Sequence, residues 1–74
     1  MKVIEVATGQ QCLVKRLVGD DRFIARITAI GLTEGCALTV LHNHRKRPVL
    51  VYVRDSAVAL DRTDCASIEV EVLP

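Results

Sequence analysis

Arg26-Ile27-Thr28-Ala29-Ile30-Gly31-Leu32-Thr33-Glu34-Gly35 is the stretch that decides how this chain folds. Ile27 and Ile30 carry the apolar face of a short helix into its last turn. Gly31 falls where helices stop, because a residue without Cβ takes a left-handed backbone at little cost. Leu32 adds one more apolar side chain. Gly35 permits a second tight reversal before a strand-like run opens at Cys36. These ten residues therefore end a helix, turn twice and launch a sheet.

Toward the N-terminus, Asp20 or Asp21 is placed to cap the helix, with an acidic side chain at the positive end of its dipole. Phe23, Ile24, Ile27 and Ile30 line one helical face, and Arg22 and Arg26 fall on a more polar flank. The predicted helix, about residues 21–30, is too short to hold in water alone and must lean on a sheet. Gly19-Asp20-Asp21 divides it from a strand-like run, Cys12 to Val18. Thr8-Gly9-Gln10 reads as a turn. Met1 to Ala7 reads as a short strand or an extended lead-in.

Toward the C-terminus the period changes to two. Leu38 and Val40 share a face, with Thr39 opposite. His42-Asn43-His44-Arg45-Lys46-Arg47 is polar and basic and reads as a hairpin tip, with Pro48 at its exit, where it costs no ladder bond. Val49, Val51 and Val53 alternate with Leu50 and Tyr52. Asp55-Ser56 is the expected turn, and Ala57 to Leu60 a short strand with Val58 and Leu60 on one face. Arg62 to Ala66 is a polar connection of up to one helical turn. Ile68, Val70 and Val72 alternate with Glu69 and Glu71. The expected fold is mainly β: five or six short strands and one short helix, closing into a small barrel that removes most sheet edges.

Seventy-four residues make a single domain, residues 1–74, with a modest core. Half of the residues are hydrophobic, which argues against disorder, and with one Phe, one Tyr and no Trp the core must be aliphatic. A net charge of +1 gives no strong global field toward nucleic acid or lipid. Cys12, Cys36 and Cys65 are odd in number and widely spaced, which suits reduced thiols in the cytoplasm better than a disulfide framework or a zinc knot. No apolar run approaches the roughly 18 residues of a membrane span, and the N-terminus does not read as a signal peptide.

The chain resembles the FeoA family, the small ferrous iron transport protein A. The most specific match is the pattern formed by Arg26, Ile27, Ile30, Gly31, Leu32 and Gly35. Supporting matches are Gly9, Pro48, Val58-Ala59-Leu60 and Ala66-Ser67-Ile68-Glu69-Val70. The resemblance implies an SH3-like β-barrel with a helix inserted between early strands. It implies a non-enzymatic, cytoplasmic partner of FeoB, the membrane ferrous-iron transporter with a cytosolic G-protein domain. The same module ends iron-dependent repressors; with no DNA-binding segment ahead of it in this sequence, the free-standing accessory protein is favoured. Glu34 stands where the family often has proline, and His44-Arg45-Lys46-Arg47 replaces the more usual glycine-containing tip.

No phosphate loop or nucleophile motif is visible, so neither nucleotide binding nor catalysis is expected. His42 and His44, two apart on a strand, share a face and are candidate ligands for weak Fe(II) or Zn(II) binding, against the plainer reading of a polar tip. The cysteines read as small core residues before they read as iron ligands. The basic tip is a rival nucleic-acid contact, but no aromatic residues are interleaved to stack bases. Arg26 is a candidate arginine offered to a partner's nucleotide, against a helix-surface arginine with a packed stem. Leu32, on a tight turn between two glycines, is the candidate anchor of an exposed apolar docking patch, its alternative being a plug in the barrel. Self-association is a further expectation, with no surface assigned to it.

Overall fold

The computed structural model describes all 74 residues. Five antiparallel strands form one sheet: β1 (Gln11–Leu17), β2 (Ala37–His42), β3 (Val49–Val53), β4 (Ser56–Leu60) and β5 (Ile68–Val72). Helix α1 (Asp21–Ala29) lies between β1 and β2, and a single-turn helix α2 (Arg62–Cys65) lies between β4 and β5. The hydrogen-bonded order is β4-β3-β2-β1-β5, so β4 and β5 are the two edges of the sheet. The strand count and the single principal helix agree with the sequence pattern.

Alternation explains which side chains go in. Cys12 and Val14 of β1, Leu38 and Val40 of β2, Val49, Val51 and Val53 of β3, and Ile68 and Val70 of β5 are all buried, and they belong to one core of 16 residues, none of them polar or charged. In β4 only Leu60 is fully buried; Val58, its expected partner on that face, is half-buried because nothing pairs beyond the edge. Interruptions in register between Val14 and Arg16 and between Val40 and His42 mark irregularities that bend the strands.

Two local expectations are corrected. Val3–Glu5 is a 3₁₀ turn rather than a strand or extended lead-in. Val3 and Val6 both reach the core, and three-residue spacing puts two side chains on one side of such a turn but on opposite sides of a strand. Glu5 Oε1 accepts the Lys2 N–H at 2.7 Å and fixes the turn from its own side chain. The β3–β4 turn is Arg54-Asp55, not Asp55-Ser56. Both residues have positive φ, 47° and 64°, the backbone of a two-residue hairpin of the type whose twist suits the strands.

Helix α1 is bounded as its sequence requires. Asp20 Oδ1 accepts the Phe23 N–H at 2.9 Å as N-cap. At the other end Gly31 has φ +101°, its N–H donates to Thr28 O at 3.0 Å, and the Leu32 N–H donates to Ile27 O at 3.2 Å. That pair of bonds is a Schellman cap. It turns Leu32 inward, and Leu32 is 0 % exposed. Arg54 then crosses from the β3–β4 turn: its Nε donates to Gly31 O at 2.8 Å and its Nη2 to Thr33 Oγ1 at 3.1 Å.

Gly31 is therefore held for two reasons, a left-handed backbone and space, since a Cβ there would sit 2.9 Å from Arg54 Cδ. Gly35 has a comparable φ of +88° but open space around it. Gly31→Ala should lose about 1–3 kcal/mol of stability, and Gly35→Ala less, because only the first adds displacement of Arg54 to backbone strain. Urea denaturation of both variants checks the difference.

Candidate docking surface

A groove of about 230 Å³ runs between α1 and β4, floored by Ile27 and Leu60 and walled by Ile30 and Val58. Ile30 and Val58 are only partly buried although they pack against the core. Their exposed flanks give the groove its apolar character. At the rim, Arg26 Nη2 donates to Asp64 Oδ1 at 2.8 Å, and the Arg26 guanidinium lies 5.7 Å from the centroid of the Phe23 ring. Arg26 is thus fixed by an ion pair and by a cation–π contact. Asp61, also lining the groove, is exposed and makes no ion pair or side-chain hydrogen bond.

The two residues expected to meet a partner separate here. Arg26 stands on the groove rim, with its charge answered by Asp64. Leu32 presents no surface, and as a docking anchor it is corrected to a core plug. The cap that ends α1 points the residue after the glycine back toward the third residue from the helix end, so a leucine in that place turns inward. Ile30, by contrast, keeps an exposed flank in the groove. It is the last position on the apolar face of a helix that stops before the sheet can cover it.

His42 ends β2 and His44 lies in the tip that follows; both are exposed, with ring centroids 5.5 Å apart and planes 28° from parallel. No group of three or more His, Cys, Asp or Glu side chains converges here or elsewhere in the chain in a way that could hold a metal ion. Cys12 and Cys65 are buried, Cys36 half-buried, and all three are free thiols. Burial pushes the Cys12 and Cys65 thiols up to about 11, so both stay protonated at neutral pH. Neither is poised as a nucleophile or a ready ligand.

Asn43, between the histidines, does unforeseen structural work. Its Nδ2 donates to Ile4 O at 3.0 Å and to Val6 O at 2.7 Å, and its N–H donates to Thr8 Oγ1 at 3.0 Å. Its Oδ1 accepts from Arg62 Nη1 at 2.9 Å, and the same nitrogen reaches His44 O at 2.9 Å and Arg47 O at 3.2 Å. The tip is thereby stapled to the 3₁₀ turn and to α2. Arg45, Lys46 and Arg47 stay outside every ion pair. Polar side chains bonding to backbone leave no periodic signal, which is why sequence pattern could not find Asn43 or Arg62.

The fold and this surface define a small, mainly β module with a partly apolar groove between α1 and β4. The chain matches the FeoA domain family over residues 1–72, and it belongs to that family. It is 36 % identical over 74 residues to an Fe(2+) transport protein A/Fe(2+) transporter FeoB fusion protein of Porphyromonas gingivalis, covering 99 % of this chain but 9 % of that protein. The chain thus spans under a tenth of that relative. A crystal structure of an iron uptake regulatory protein (FeoA) superposes with a TM-score of 0.95 at 22 % identity, covering 99 % of this chain and 97 % of that one. Zinc-complexed FeoA of Stenotrophomonas maltophilia, described as an SH3 domain protein, superposes with a TM-score of 0.83 at 18 % identity, covering 96 % and 89 %. At such identities the two structures establish the fold, which is SH3-like. Membership ties the chain to a transport-associated family that is not a known enzyme family. No helix is long and apolar enough to cross a membrane.

Asn43→Ala should cost about 1–3 kcal/mol, because it strips partners from two carbonyls and from a charged guanidinium. Arg62→Ala combined with it should cost less than the sum of the two single changes, since both remove one network. A double-mutant cycle in urea measures this coupling.

Proposed function

We propose that this protein supports ferrous iron uptake from the cytoplasmic side by docking onto the cytosolic G-protein domain of a FeoB-like transporter. The observation that carries the reading is the family match over 1–72, joined to the existence of a relative in which transport protein A and the transporter are one chain. A fused arrangement keeps two partners at high effective concentration, which is useful only where they act together. The groove between α1 and β4 is the docking surface, with Ile30 and Val58 as its apolar contacts and Arg26 at its rim. In this reading the sheet curls toward an SH3-like barrel around the single core. The chain acts by binding and holds no reacting groups of its own.

Binding of Fe(II) or Zn(II) at His42 and His44 is a subordinate part of the proposal. Two stacked, exposed imidazoles 5.5 Å apart offer two donors, which suits a weak, open site. Zinc titration of the His42→Ala/His44→Ala variant should show lost affinity; an unchanged isotherm removes the site. The free cations of the tip do not favour nucleic acid in the same way. No Phe, Tyr or Trp ring lies among them to stack a base, and Tyr52 stands on a strand, not in the tip.

The test is a pull-down of the soluble domain of a FeoB-like transporter, with and without a GTP analogue and Fe(II). Wild-type protein is expected to be retained. Ile30→Asp should weaken retention by about tenfold or more at unchanged fold, equivalent to about 1.4 kcal/mol. Retention of Ile30→Asp at the wild-type level would remove the groove as the surface, and no retention of wild type under any condition would overturn the docking reading.

A further inference from the structure

The two edges of the sheet are finished differently. On β5 the free side is occupied: the Val70 N–H donates to Met1 O at 2.8 Å, and Lys2 bridges to Glu69. Glu69 is further clamped by Lys2 Nζ at 3.1 Å and Arg16 Nε at 3.2 Å, and Glu71 by Lys15 at 3.6 Å. Covered backbone and charged side chains are what keeps an edge from pairing with a foreign strand.

None of those devices is present on β4. Its sequence, Ser56-Ala57-Val58-Ala59-Leu60, has no charge, no proline and no large side chain on its exposed face, where Ala57 and Ala59 sit. Val53↔Ser56 closes a two-residue hairpin and exchanges hydrogen bonds, so the alternation of an antiparallel ladder gives Val51↔Val58 and Val49↔Leu60 the same role. The N–H and C=O of Ala57 and Ala59 consequently point away from β3. No loop, turn or side-chain hydrogen bond in the molecule uses them. The groove lies beside this edge, lined by Val58 and Leu60 on the strand and by Ile27 and Ile30 on α1. It is the place where inward side chains of one more strand would go.

We infer that β4 is a strand-addition site: an extended segment of a partner protein pairs with Ala57 and Ala59 and sends alternate apolar side chains into the groove. The segment carries a lysine or arginine where it passes Asp61. Arg26 neutralises Asp64 at 2.8 Å, which leaves Asp61 as the unanswered charge on the groove wall. A second copy of this chain fits less well. The antiparallel register that pairs all five β4 residues with themselves sets Asp55 against Asp61 and Arg54 against Arg62, and like charges directly opposite are unfavourable.

This inference rests on the docking reading above and names how the partner is held. The soluble domain of the FeoB-like transporter is the probe. Amide hydrogen exchange of wild-type protein saturated with it should slow about tenfold or more at Ala57 and Ala59, as expected when an exposed amide enters a ladder. Ala59→Pro removes an outward donor without touching the bonds to β3, a change edge strands tolerate, and should weaken retention by about tenfold. Asp61→Lys should weaken it as well. Unchanged exchange at both alanines in a complex that Ile30→Asp still disrupts overturns strand addition and leaves groove docking intact. Absence of any complex with wild type overturns both. Protection of the two alanines in the isolated protein, with a doubled mass in sedimentation, identifies a second copy as occupant and overturns the partner segment. Exchange on wild-type protein decides the matter if Ala59→Pro fails to fold.

Discussion

The joint between Gly31 and Arg54 fixes the rest of the structure. A left-handed glycine frees its carbonyl from the helix, and Arg54 Nε donates to that carbonyl at 2.8 Å from the β3–β4 turn. One contact thereby ties the end of α1, the loop through Thr33 and the β3–β4 turn into a single corner. Arg54 and Asp55 both hold positive φ without being glycine, a conformation that costs energy unless its surroundings impose it. The two bonds made by the Arg54 side chain are such surroundings. Strain in one turn and freedom in the other are thus complementary: the glycine offers an acceptor, and the arginine is held in place by reaching it.

Much of the groove follows from that corner. The helix is nine residues long, capped by Asp20 at one end and closed over Leu32 at the other, so its position along the sheet is set at both ends. Phe23 and Ile27 fall over the core and are buried; Ile30, the C-cap residue, is partly buried and faces the groove shared with the edge strand. A helix one turn longer would cover β4. This one stops short and leaves an apolar strip between itself and Val58.

The sequence carried the elements well where packing is periodic. Helix α1, all five strands and the inward faces of β2, β3 and β5 could be read directly, since alternation and three-to-four spacing record burial. Failures came where side chains bond to backbone. The 3₁₀ turn at Val3–Glu5 is set by Glu5 and by the clamp of Asn43 on the Ile4 and Val6 carbonyls, contacts that leave no pattern. The β3–β4 turn moved by one residue because Arg54 is an unusual choice for positive φ and its reason lies 23 residues away. Of the candidate surface, the sequence shows Arg26 as an arginine on the polar flank of α1, but not the groove beside it. For Leu32 the flanking glycines suggest exposure, whereas the geometry of the cap turns that residue inward.

Polarity is distributed to the same effect. Both charged side chains on β5, Glu69 and Glu71, have opposite partners, and no buried side-chain nitrogen or oxygen lacks a hydrogen bond. A chain of 74 residues with so small a core has little stability to lose, and one covered edge already guards it against pairing at random. Leaving the second edge bare, uncharged and next to an apolar strip therefore needs a compensating use. Burial of Ile30 and Val58 by a partner would cover two of the seven apolar side chains that the fold leaves partly buried against the core. The same helix cap that withdraws Leu32 into the core leaves Ile30 partly exposed, so the stability of the corner and the apolar flank of the groove have a common origin in the ten residues from Arg26 to Gly35.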